Sequence, residues 1–467
     1  MQTRKWLLAL GVAACATGAA AAGAGFDFGL FRDHHLDAHS EQLFGIVSPI
    51  EKSSELSISA AEAESDPRNL VTMSKQLRVR VVADLPNVPP NIDMMALWPT
   101  DLNPTHLIAC NEEGPAQPGL VRIRIADGFT ETILTGVNSC DPVKRTAWGT
   151  IIFGEEDTTG WLLELINPLA TTGVMFNRTT GALTGNNAAN VATRPAVGRL
   201  AFEGLALLPN GVLYYGDENR PLNGNPGGAY FKFIPSSPWA GGTIGNLAQS
   251  PLVSGSVFGL RLGKRANNTD YGQGTNTGLG TWIPIPPASL ASLRAATSTL
   301  KLTGYYRPED AEVDPVALAQ GQVRWCGNNT GNESQDHNWG ETVCVTDGSV
   351  AEATANTAVP EVQLFVVGTW DFAMMDNLAF QPGRNNLIIH EDGDGAEFGR
   401  NNDLWSCAPD GDDADTMSDG CLRIGTLNDL TAEWTGGVFD RHGDHFYVSV
   451  QHNVTGHGVV LDITGWR

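Results

Sequence analysis

A two-strand unit that opens on an acidic residue recurs along the chain, and this repeat restricts the fold more than any other sequence feature. Copies begin around Glu203, Asp376 and Glu433, and a shorter one surrounds Glu309. Each long copy has a short strand, a turn of Pro, Asp or Gly, a second strand and a polar cluster. Hairpin units repeated at separations of tens of residues are typical of propeller blades. The sequence therefore predicts an all-β protein, a β-propeller with short helical inserts.

The composition agrees with many short strands and turns. The 467 residues include 53 Gly and 26 Pro, and 42% are hydrophobic, which is enough for a large core. Residues 287–300 have the apolar spacing of a helix and predict a surface helix in an insert. The net charge of −23 argues against nucleic-acid binding, which needs a basic face, and it favours a monomer.

The N-terminal segment has the pattern of a secretory signal. Arg4 and Lys5 precede a short apolar run, and small residues follow, so residues 1–25 are predicted to be a signal peptide. An alternative is lipidation at Cys15, which ends a lipobox-like sequence. No other segment is long enough to span a bilayer. We predict an arm over residues 26–76, a propeller over residues 77–467, and a periplasmic or extracellular protein, or one anchored by lipid to the outer membrane.

The cysteines fit an exported protein. Two pairs lie close in sequence, Cys326 with Cys344 and Cys407 with Cys421, and both pairs are predicted to be disulfides in an oxidising compartment. Cys110 and Cys140 remain. They either form a third bridge or leave a thiolate free to bind a metal.

Acidic and amide residues stand at equivalent ends of the repeated units. In a propeller these ends face one axial opening, where several carboxylates repel one another strongly unless they are protonated or bridged by cations. Oxygen ligands with amide support favour Ca²⁺, and a thiolate or carboxylate cluster also suits iron. The residues concerned are Glu155, Glu156, Glu203, Asp217, Glu218, Glu309, Asp376, Asn377, Glu391, Asp392 and Glu433.

Motifs of other hydrolases are absent from the sequence. There is no GxSxG, no phosphate-binding glycine loop and no HExxH arrangement. Serine-hydrolase and nucleotide-hydrolase functions are therefore disfavoured.

An ordered series of short motifs resembles the PhoX-type alkaline phosphatases, which are exported bacterial β-propeller enzymes. The resemblance extends from about Leu77 to the C-terminus. The motifs are Asn138-Ser139-Cys140, Trp148-Gly149-Thr150, Glu155-Glu156, Phe202-Glu203-Gly204, Asp217-Glu218-Asn219-Arg220, Arg307-Pro308-Glu309, Asp376-Asn377-Leu378-Ala379-Phe380, Glu433-Trp434-Thr435-Gly436 and Gln451-His452.

The resemblance implies a six-bladed propeller with an axial cluster of Fe³⁺ and Ca²⁺ that hydrolyses small phosphomonoesters. Arg307 would bind a phosphate oxygen, and Asn377 and Trp148 would line the site. The metal ligands implied are Cys140, Glu156, Glu203, Asp217, Glu218, Glu309, Asp376 and Glu433.

One departure from the family pattern supports a second function. The family commonly has an arginine just before the Asp-Asn pair, and this chain has Met375 there. The loss of a phosphate-binding charge suits a less charged substrate, so a calcium-dependent phosphodiesterase or lactonase is the second hypothesis. The third is a non-catalytic, calcium-stabilised binding propeller held on the cell surface through Cys15.

Overall fold

The computed structural model describes residues 28–222, 225–263, 276–332, 338–411 and 413–467. The predicted signal peptide and Cys15 lie outside the described residues. The chain divides into two compact units, Met1–His39 and Ser40–Arg467. In the first unit the described element is helix α1 (Phe28–Ala38). All of the described strands belong to the second unit.

Short strands make up most of the second unit. In chain order the first fourteen are β1 (Val71–Met73), β2 (Arg78–Ala83), β3 (Ile92–Trp98), β4 (His106–Asn111), β5 (Pro118–Arg124), β6 (Thr130–Thr135), β7 (Cys140–Arg145), β8 (Ile151–Glu155), β9 (Leu162–Leu165), β10 (Val174–Asn177), β11 (Ala182–Thr184), β12 (Val191–Thr193), β13 (Phe202–Leu207) and β14 (Leu213–Asp217). The next fourteen are β15 (Tyr230–Pro235), β16 (Gly255–Leu262), β17 (Gly278–Pro284), β18 (Pro308–Val313), β19 (Gln322–Asn329), β20 (Glu341–Ser349), β21 (Glu361–Val367), β22 (Met375–Phe380), β23 (Leu387–Glu391), β24 (Asp403–Cys407), β25 (Cys421–Leu427), β26 (Glu433–Phe439), β27 (His445–Gln451) and β28 (Val459–Thr464).

The helices are short and lie between strands. The α-helices are α2 (Ser40–Phe44), α3 (Ala60–Ser65), α4 (Leu293–Thr299), α5 (Pro315–Ala319), α6 (Val350–Ala355) and α7 (Gly395–Phe398). Single 3₁₀ turns cover Pro67–Leu70, Ala188–Asn190, Pro195–Val197, Leu247–Gln249, Pro251–Val253 and Pro287–Ser289. The helix predicted over residues 287–300 is present as a 3₁₀ turn followed by α4, which buries Leu293 and Ala296. Among the described helices, none combines the length and apolar character that a membrane crossing requires.

The strands form five hydrogen-bonded sheets arranged like propeller blades, which confirms the all-β prediction. Their orders are β2-β28-β27-β26, β3-β4-β5-β6-β10-β11, β7-β8-β9-β12, β22-β23-β24-β25-β1, and a nine-stranded sheet β13-β14-β15-β16-β17-β21-β20-β19-β18. Strand β1 belongs to the segment predicted as an arm, yet it is the outer strand of its sheet, since Val71 pairs with Leu427.

Six strands line the centre of the propeller. Strands β3, β7, β13, β18, β22 and β26 contact one another in that order, and β26 contacts β3, so they form a closed ring. The hydrophobic core lies outside this ring, between the faces of neighbouring sheets. Val121 of β5, for example, belongs to the same buried apolar cluster as Tyr447 of β27 in the neighbouring sheet. Within the nine-stranded sheet, Trp325 of β19 stacks on Tyr214 of β14 with ring centroids 5.5 Å apart.

Side chains join neighbouring inner strands. The Asp310 carboxylate accepts a hydrogen bond from the Leu378 N–H at 3.1 Å, which links β18 to β22. The Asn377 side-chain oxygen accepts one from the Gly436 N–H at 3.0 Å, which links β22 to β26. These two bonds join neighbouring inner strands close to the axis. They therefore fix the positions of Glu309 and Asp376, which precede Asp310 and Asn377 in the chain.

Three disulfides reinforce the sheets. Cys326–Cys344 and Cys407–Cys421 each join directly paired strands, which confirms both predicted bridges. Cys110 is bonded to Cys140, the third possible bridge, and joins β4 to β7. Disulfides in this number fit an exported protein.

A buried ion pair crosses the nine-stranded sheet. Lys232 on β15 and Asp347 on β20 are both fully buried, and their Nζ and Oδ2 atoms are 2.6 Å apart. The Tyr214 hydroxyl donates to the same carboxylate at 2.6 Å, and the Trp282 indole N–H donates to it at 2.9 Å. The carboxylate therefore satisfies three donors from the other part of the sheet.

Replacing Asp347 by Ala is expected to lower the free energy of unfolding by about 3–5 kcal/mol, because Lys232 would remain buried without its partner. Urea unfolding measures the change. The Asp444→Ala variant, in an exposed turn, is the control and should change stability by less than about 0.5 kcal/mol. Equal free energies of unfolding for the two variants would contradict a stabilising role for the buried Lys232–Asp347 ion pair.

Candidate metal centre

Each of the six inner strands begins with a carboxylate. In five strands it is the second residue, and in β26 it is the first. These residues are Asp93, Asp141, Glu203, Glu309, Asp376 and Glu433. Because the strands form a ring and their acids interact with one another, these side chains converge at one end of the axis.

A break in strand pairing accompanies the acid. In β3, β7, β13, β18 and β22 the register with the next strand shifts between the first residue and the fourth, so the acid lies in the irregular part. A bulge of this kind redirects a side chain that would otherwise alternate with its neighbours. The local irregularity thus repeats with the acid, once in each of these strands.

A second set of polar residues follows directly after the second strand of each unit. It consists of Glu112, Glu156, Glu218, Thr330, Asp392 and His452. Several contact the first set: Thr330 donates to Glu309 at 2.6 Å, and His452 Nδ1 lies 3.0 Å from Glu433 Oε1. The end of the axis is therefore surrounded by two rings of polar side chains.

Two groups of carboxylates have the spacing of metal ligands. Oxygens of Asp141, Glu156 and Glu203 lie within 4.8 Å of one another, as do oxygens of Glu203, Glu309 and Asp376. Glu203 belongs to both groups, so two cations bound there would share it. A third acidic group, Asp410, Asp413 and Asp415, lies in the partly exposed loop before β25.

Burial and mutual repulsion both act against ionisation of these acids. Burial is the larger cause, and the neighbouring carboxylates add to it, so the pKa values of Asp93, Asp141, Glu203, Asp376 and Glu433 lie well above their usual range. The pKa of Glu156 is raised to about 10 and that of Glu309 to about 7. Without cations, several of these groups hold protons at neutral pH.

Arg307 carries positive charge into this ring. Its Nε donates to Glu218 at 2.8 Å, and its terminal nitrogen lies 3.2 Å from Glu309 and 4.0 Å from Asp392. Burial lowers the pKa of Arg307, but the charges of Glu309 and Glu218 outweigh it, and the pKa is raised. The backbone at Arg307 has φ = 58°, a conformation that costs energy in a residue with a Cβ and often occurs at functional sites.

The structure brings most of the predicted ligands together. Of the eight, six lie in the two rings just described: Glu156, Glu203, Glu218, Glu309, Asp376 and Glu433. The predicted phosphate ligand, Arg307, lies among them. Asn377 is adjacent, but its side-chain oxygen is bound by Gly436, so it holds two strands together beside Asp376.

Cys140 is placed differently from the prediction of a metal-binding thiolate. Its sulfur is bonded to Cys110 and carries no charge. The neighbouring residue, Asp141, has the same position in β7 that Glu203 has in β13. It is therefore the carboxylate of Asp141, and not the sulfur of Cys140, that lies in the cluster with Glu156 and Glu203.

Asp217 is also placed outside the cluster. Its carboxylate forms an ion pair with Arg294 at 2.8 Å and accepts from the Ala201 N–H at 3.3 Å. Equivalent hydrogen bonds occur in three other hairpins. In each, a backbone N–H just before the first strand donates to the side chain of the last residue of the second strand, which is Asn111, Glu155 or Glu391. Residues at this position close the hairpin, and the residue after each of them faces the axis.

Trp148 lies at the wrong end of its hairpin to line the site. It is in the turn between β7 and β8, whereas Asp141 is at the start of β7. At about 3.3 Å per residue the strand separates the two by more than about 10 Å. The buried Trp148 indole donates to Glu164 at 2.6 Å and packs in the core.

Met375 does not face the carboxylates either. It is fully buried, and the Thr342 hydroxyl donates to its sulfur at 3.4 Å. By strand register the residue equivalent to Arg307 is Met374, which precedes β22 and has φ = 53°. Met374 is buried against Phe398. Within the described residues, this position therefore contributes no second positive charge.

Three cluster residues, Asp93, Glu112 and Asp141, were not predicted, and Asp392 was predicted at the axial opening but not in the ligand set implied by the family. A sequence signal for one of them exists. Glu203, Glu309 and Asp376 are each followed by proline six residues later, where the inner strand has ended, and Asp93 has the same relation to Pro99. This acid-to-proline spacing identifies Asp93 as the start of another unit.

Comparison with known proteins agrees with this geometry. The alkaline phosphatase PhoX family matches residues 112–453, which is most of the chain. The chain therefore belongs to this family and is a phosphoric-ester hydrolase. No curated protein sequence matches the chain.

Solved structures show the same fold. PhoX from Pseudomonas fluorescens, solved with the transition-state analogue vanadate, is 16% identical with a TM-score of 0.62, over 88% of this chain and 97% of that one. Weaker matches include a PQQ-bound aldose sugar dehydrogenase from Streptomyces coelicolor (10% identity, TM-score 0.42, 84% and 99% covered). A gluconolactonase from Xanthomonas campestris matches similarly (11% identity, TM-score 0.42, 89% and 96% covered).

The raised pKa values predict how stability depends on pH once cations have been removed. Glu309 and Glu156 have folded pKa values of about 7 and about 10, against 4.5 ordinarily. Their protons favour the folded state at low pH, and this contribution is lost as pH rises. In chelator-treated protein, the free energy of unfolding should fall between pH 6 and pH 9, by about 1.4 kcal/mol per pH unit for each group still protonated.

Urea unfolding at pH 6 and pH 9, with chelator and with added Ca²⁺, measures this effect. Glu156→Gln should flatten the pH dependence in chelator, because an amide does not titrate. Added cations should restore stability at pH 9. Stability that stays constant or rises over this range in chelator would contradict the description of the cluster.

Proposed function

We propose that the chain is a phosphomonoesterase whose active site is the axial carboxylate cluster with Fe³⁺ and Ca²⁺ bound. The observation that carries the proposal is the placement of Arg307 among carboxylates that have ligand spacing. A phosphate dianion would be repelled by these acids alone. It can bind only where cations and the arginine reverse the local charge.

The donor set fits hard cations. The two groups joined at Glu203 offer carboxylate oxygens alone, which suits Ca²⁺. Asp141, Glu156, Glu203, Glu309 and Asp376 would hold the cations nearest Arg307. Glu112, Asp392 and Glu433 would complete the set. Iron is carried over from the family resemblance, with Asp141 in place of the thiolate.

Bound metals would polarise the phosphoryl oxygens and neutralise charge that develops during hydrolysis. Arg307 would bind equatorial oxygens of the phosphate through parallel N–H donors. Glu218 orients the Arg307 guanidinium by accepting a hydrogen bond from its Nε. A terminal nitrogen of Arg307 is then directed toward Glu309, one of the carboxylates of the cluster. Hydrogen bonds from Thr330 to Glu309 and from Gln451 to Glu112, the latter at 2.8 Å, orient the carboxylates.

We also propose that the propeller has six blades. The nine-stranded sheet has an inner strand at each end, β13 and β18, and its two parts are joined at their outer strands through β17 and β21. Counted as two blades, it gives one blade for each inner strand of the ring. On this division residues 77–467 form the propeller together with β1, and the remainder of residues 26–76 precedes it as an arm.

The cellular setting completes the proposal. A signal peptide over residues 1–25 would direct export to the periplasm or the medium, and lipidation at Cys15 would instead hold the protein at the outer membrane. The substrate would be a small phosphate ester, and the charge of −23 favours a monomer.

A phosphodiesterase or a lactonase is the second candidate, because the position equivalent to Arg307 in the next inner strand holds Met374, which is buried and uncharged. A diester or a lactone carries less charge than a monoester and needs fewer cationic contacts. Comparison of kcat/KM for p-nitrophenyl phosphate, bis(p-nitrophenyl) phosphate and a lactone distinguishes the candidates. A higher value for the monoester is expected.

Substitution of the cluster should abolish hydrolysis without unfolding the protein. Glu203→Gln and Glu309→Gln remove ligand charge, and Arg307→Ala removes a donor to the phosphate, for which a loss of about 10²–10³ in kcat is expected. Hydrolysis of p-nitrophenyl phosphate with Ca²⁺, before and after chelation, is the measurement. Chelation should abolish wild-type activity.

Asp413→Asn is a matched control, because it alters an acidic group that is remote in sequence and exposed. It should keep wild-type activity. Full activity in both Glu203→Gln and Glu309→Gln would refute the cluster as the active site.

A further inference from the structure

A cavity is lined by Tyr306, the residue before Arg307. We propose that this cavity binds the hydroxylated alcohol portion of the phosphate ester, as in polyol or sugar phosphates. The inference rests on the proposed phosphatase function and names its substrate class. The cavity has a volume of about 300 Å³. Its polar and aromatic lining comes from Asn276, Tyr305, Tyr306, Asn329, Asn338 and Glu341.

The cavity adjoins the phosphate position through two strand pairings. Pro308, next to Arg307, pairs with Asn329 of β19, and Asn329 pairs with Glu341 of β20. At about 4.8 Å per strand, the Glu341 backbone lies roughly 10 Å from Pro308. Tyr306, directly before Arg307 in the chain, lines the cavity. An alcohol attached to a phosphate at Arg307 can therefore extend into it.

Glu341 is the charged group of this cavity. It is half-buried, and the Asn329 amide donates to its Oε1 at 3.1 Å. Asn329 is itself held by the Tyr230 hydroxyl, which donates to its side-chain oxygen at 3.0 Å. A fixed amide thus orients the carboxylate. Among the described residues no donor binds its second oxygen, which can therefore accept a hydrogen bond from a ligand.

The remaining lining suits a ligand with several hydroxyl groups. Amide side chains offer both donors and acceptors, a carboxylate accepts from hydroxyls, and tyrosine rings pack against C–H groups. The cavity has no positively charged lining residue among those described, so a second phosphate is not expected there. A purely apolar leaving group would desolvate the second oxygen of the Glu341 carboxylate and offer it no hydrogen bond.

The test compares esters that differ only in the alcohol. Wild-type protein, Glu341→Gln and Glu341→Ala are assayed with glycerol phosphate, glucose 6-phosphate, phosphoethanolamine and p-nitrophenyl phosphate. For Glu341→Ala, kcat/KM on the two hydroxylated esters should fall about tenfold, mainly through KM, while p-nitrophenyl phosphate should stay within about twofold. Glu341→Gln, which keeps an acceptor, should lose less.

Glu361→Gln is the control, because it changes a glutamate in the adjacent strand of the same sheet. Glu361 lies on β21, six residues before Val367, the partner of Glu341, and outside the cavity. It should behave as wild type with every ester. Thermal unfolding of each variant, matched to wild type, confirms that losses are not due to misfolding.

Equal losses on all esters, no loss on any, or a preference for the cationic phosphoethanolamine would each overturn the inference while the phosphatase function stands. Absence of hydrolysis with every ester would refute the proposed function instead. In that case saturation-transfer NMR with free glucose still tests the cavity: signal in wild type that disappears in Glu341→Ala supports it, and no signal in wild type overturns it.

Discussion

The structure depends on the repulsion between buried carboxylates at one end of the propeller axis. Six inner strands each deliver an acid to the same small volume, in a chain whose net charge is already −23. In surroundings of low dielectric constant such charges cannot coexist uncompensated. Arg307 offsets part of this charge, protons offset more, and bound cations would offset the rest. The fold is therefore built around a site that is complete only when positive charge is added.

The same short segment of each inner strand serves both the site and the ring. The acid faces the axis, and in β18 and β22 the next residue, Asp310 or Asn377, accepts a hydrogen bond from the adjacent strand. Ligand position and strand packing are thus determined together. A change that loosens the contact between two inner strands also moves two carboxylates apart, so the geometry of the cluster reports on the integrity of the ring.

The sequence was sufficient for the fold class and for much of the cluster. Glu203, Asp376 and Glu433 were found because each opens a recognisable hairpin, and the units define equivalent positions. Trp148 and Asp217 were misplaced because short motifs do not show which end of a strand, or which side of a hairpin, a residue occupies. The pairing of Cys110 with Cys140 could not be decided from spacing, since it depends on the contact between β4 and β7. Asp93 and Asp141 were missed because their hairpins diverge in sequence while keeping the bulge.

The sheet of β26, β27 and β28 is completed by β2, with Arg78 opposite Thr464. The second and the last strands of the described sheets are therefore paired, and this long-range pairing requires closure of a loop of nearly 400 residues. Glu433 belongs to that sheet. The wall of the cluster that carries Glu433 is therefore completed only when β28 and β2 are in place. Removal of β28 should therefore displace Glu433 and disturb the carboxylate cluster, although β28 itself contributes no ligand to it.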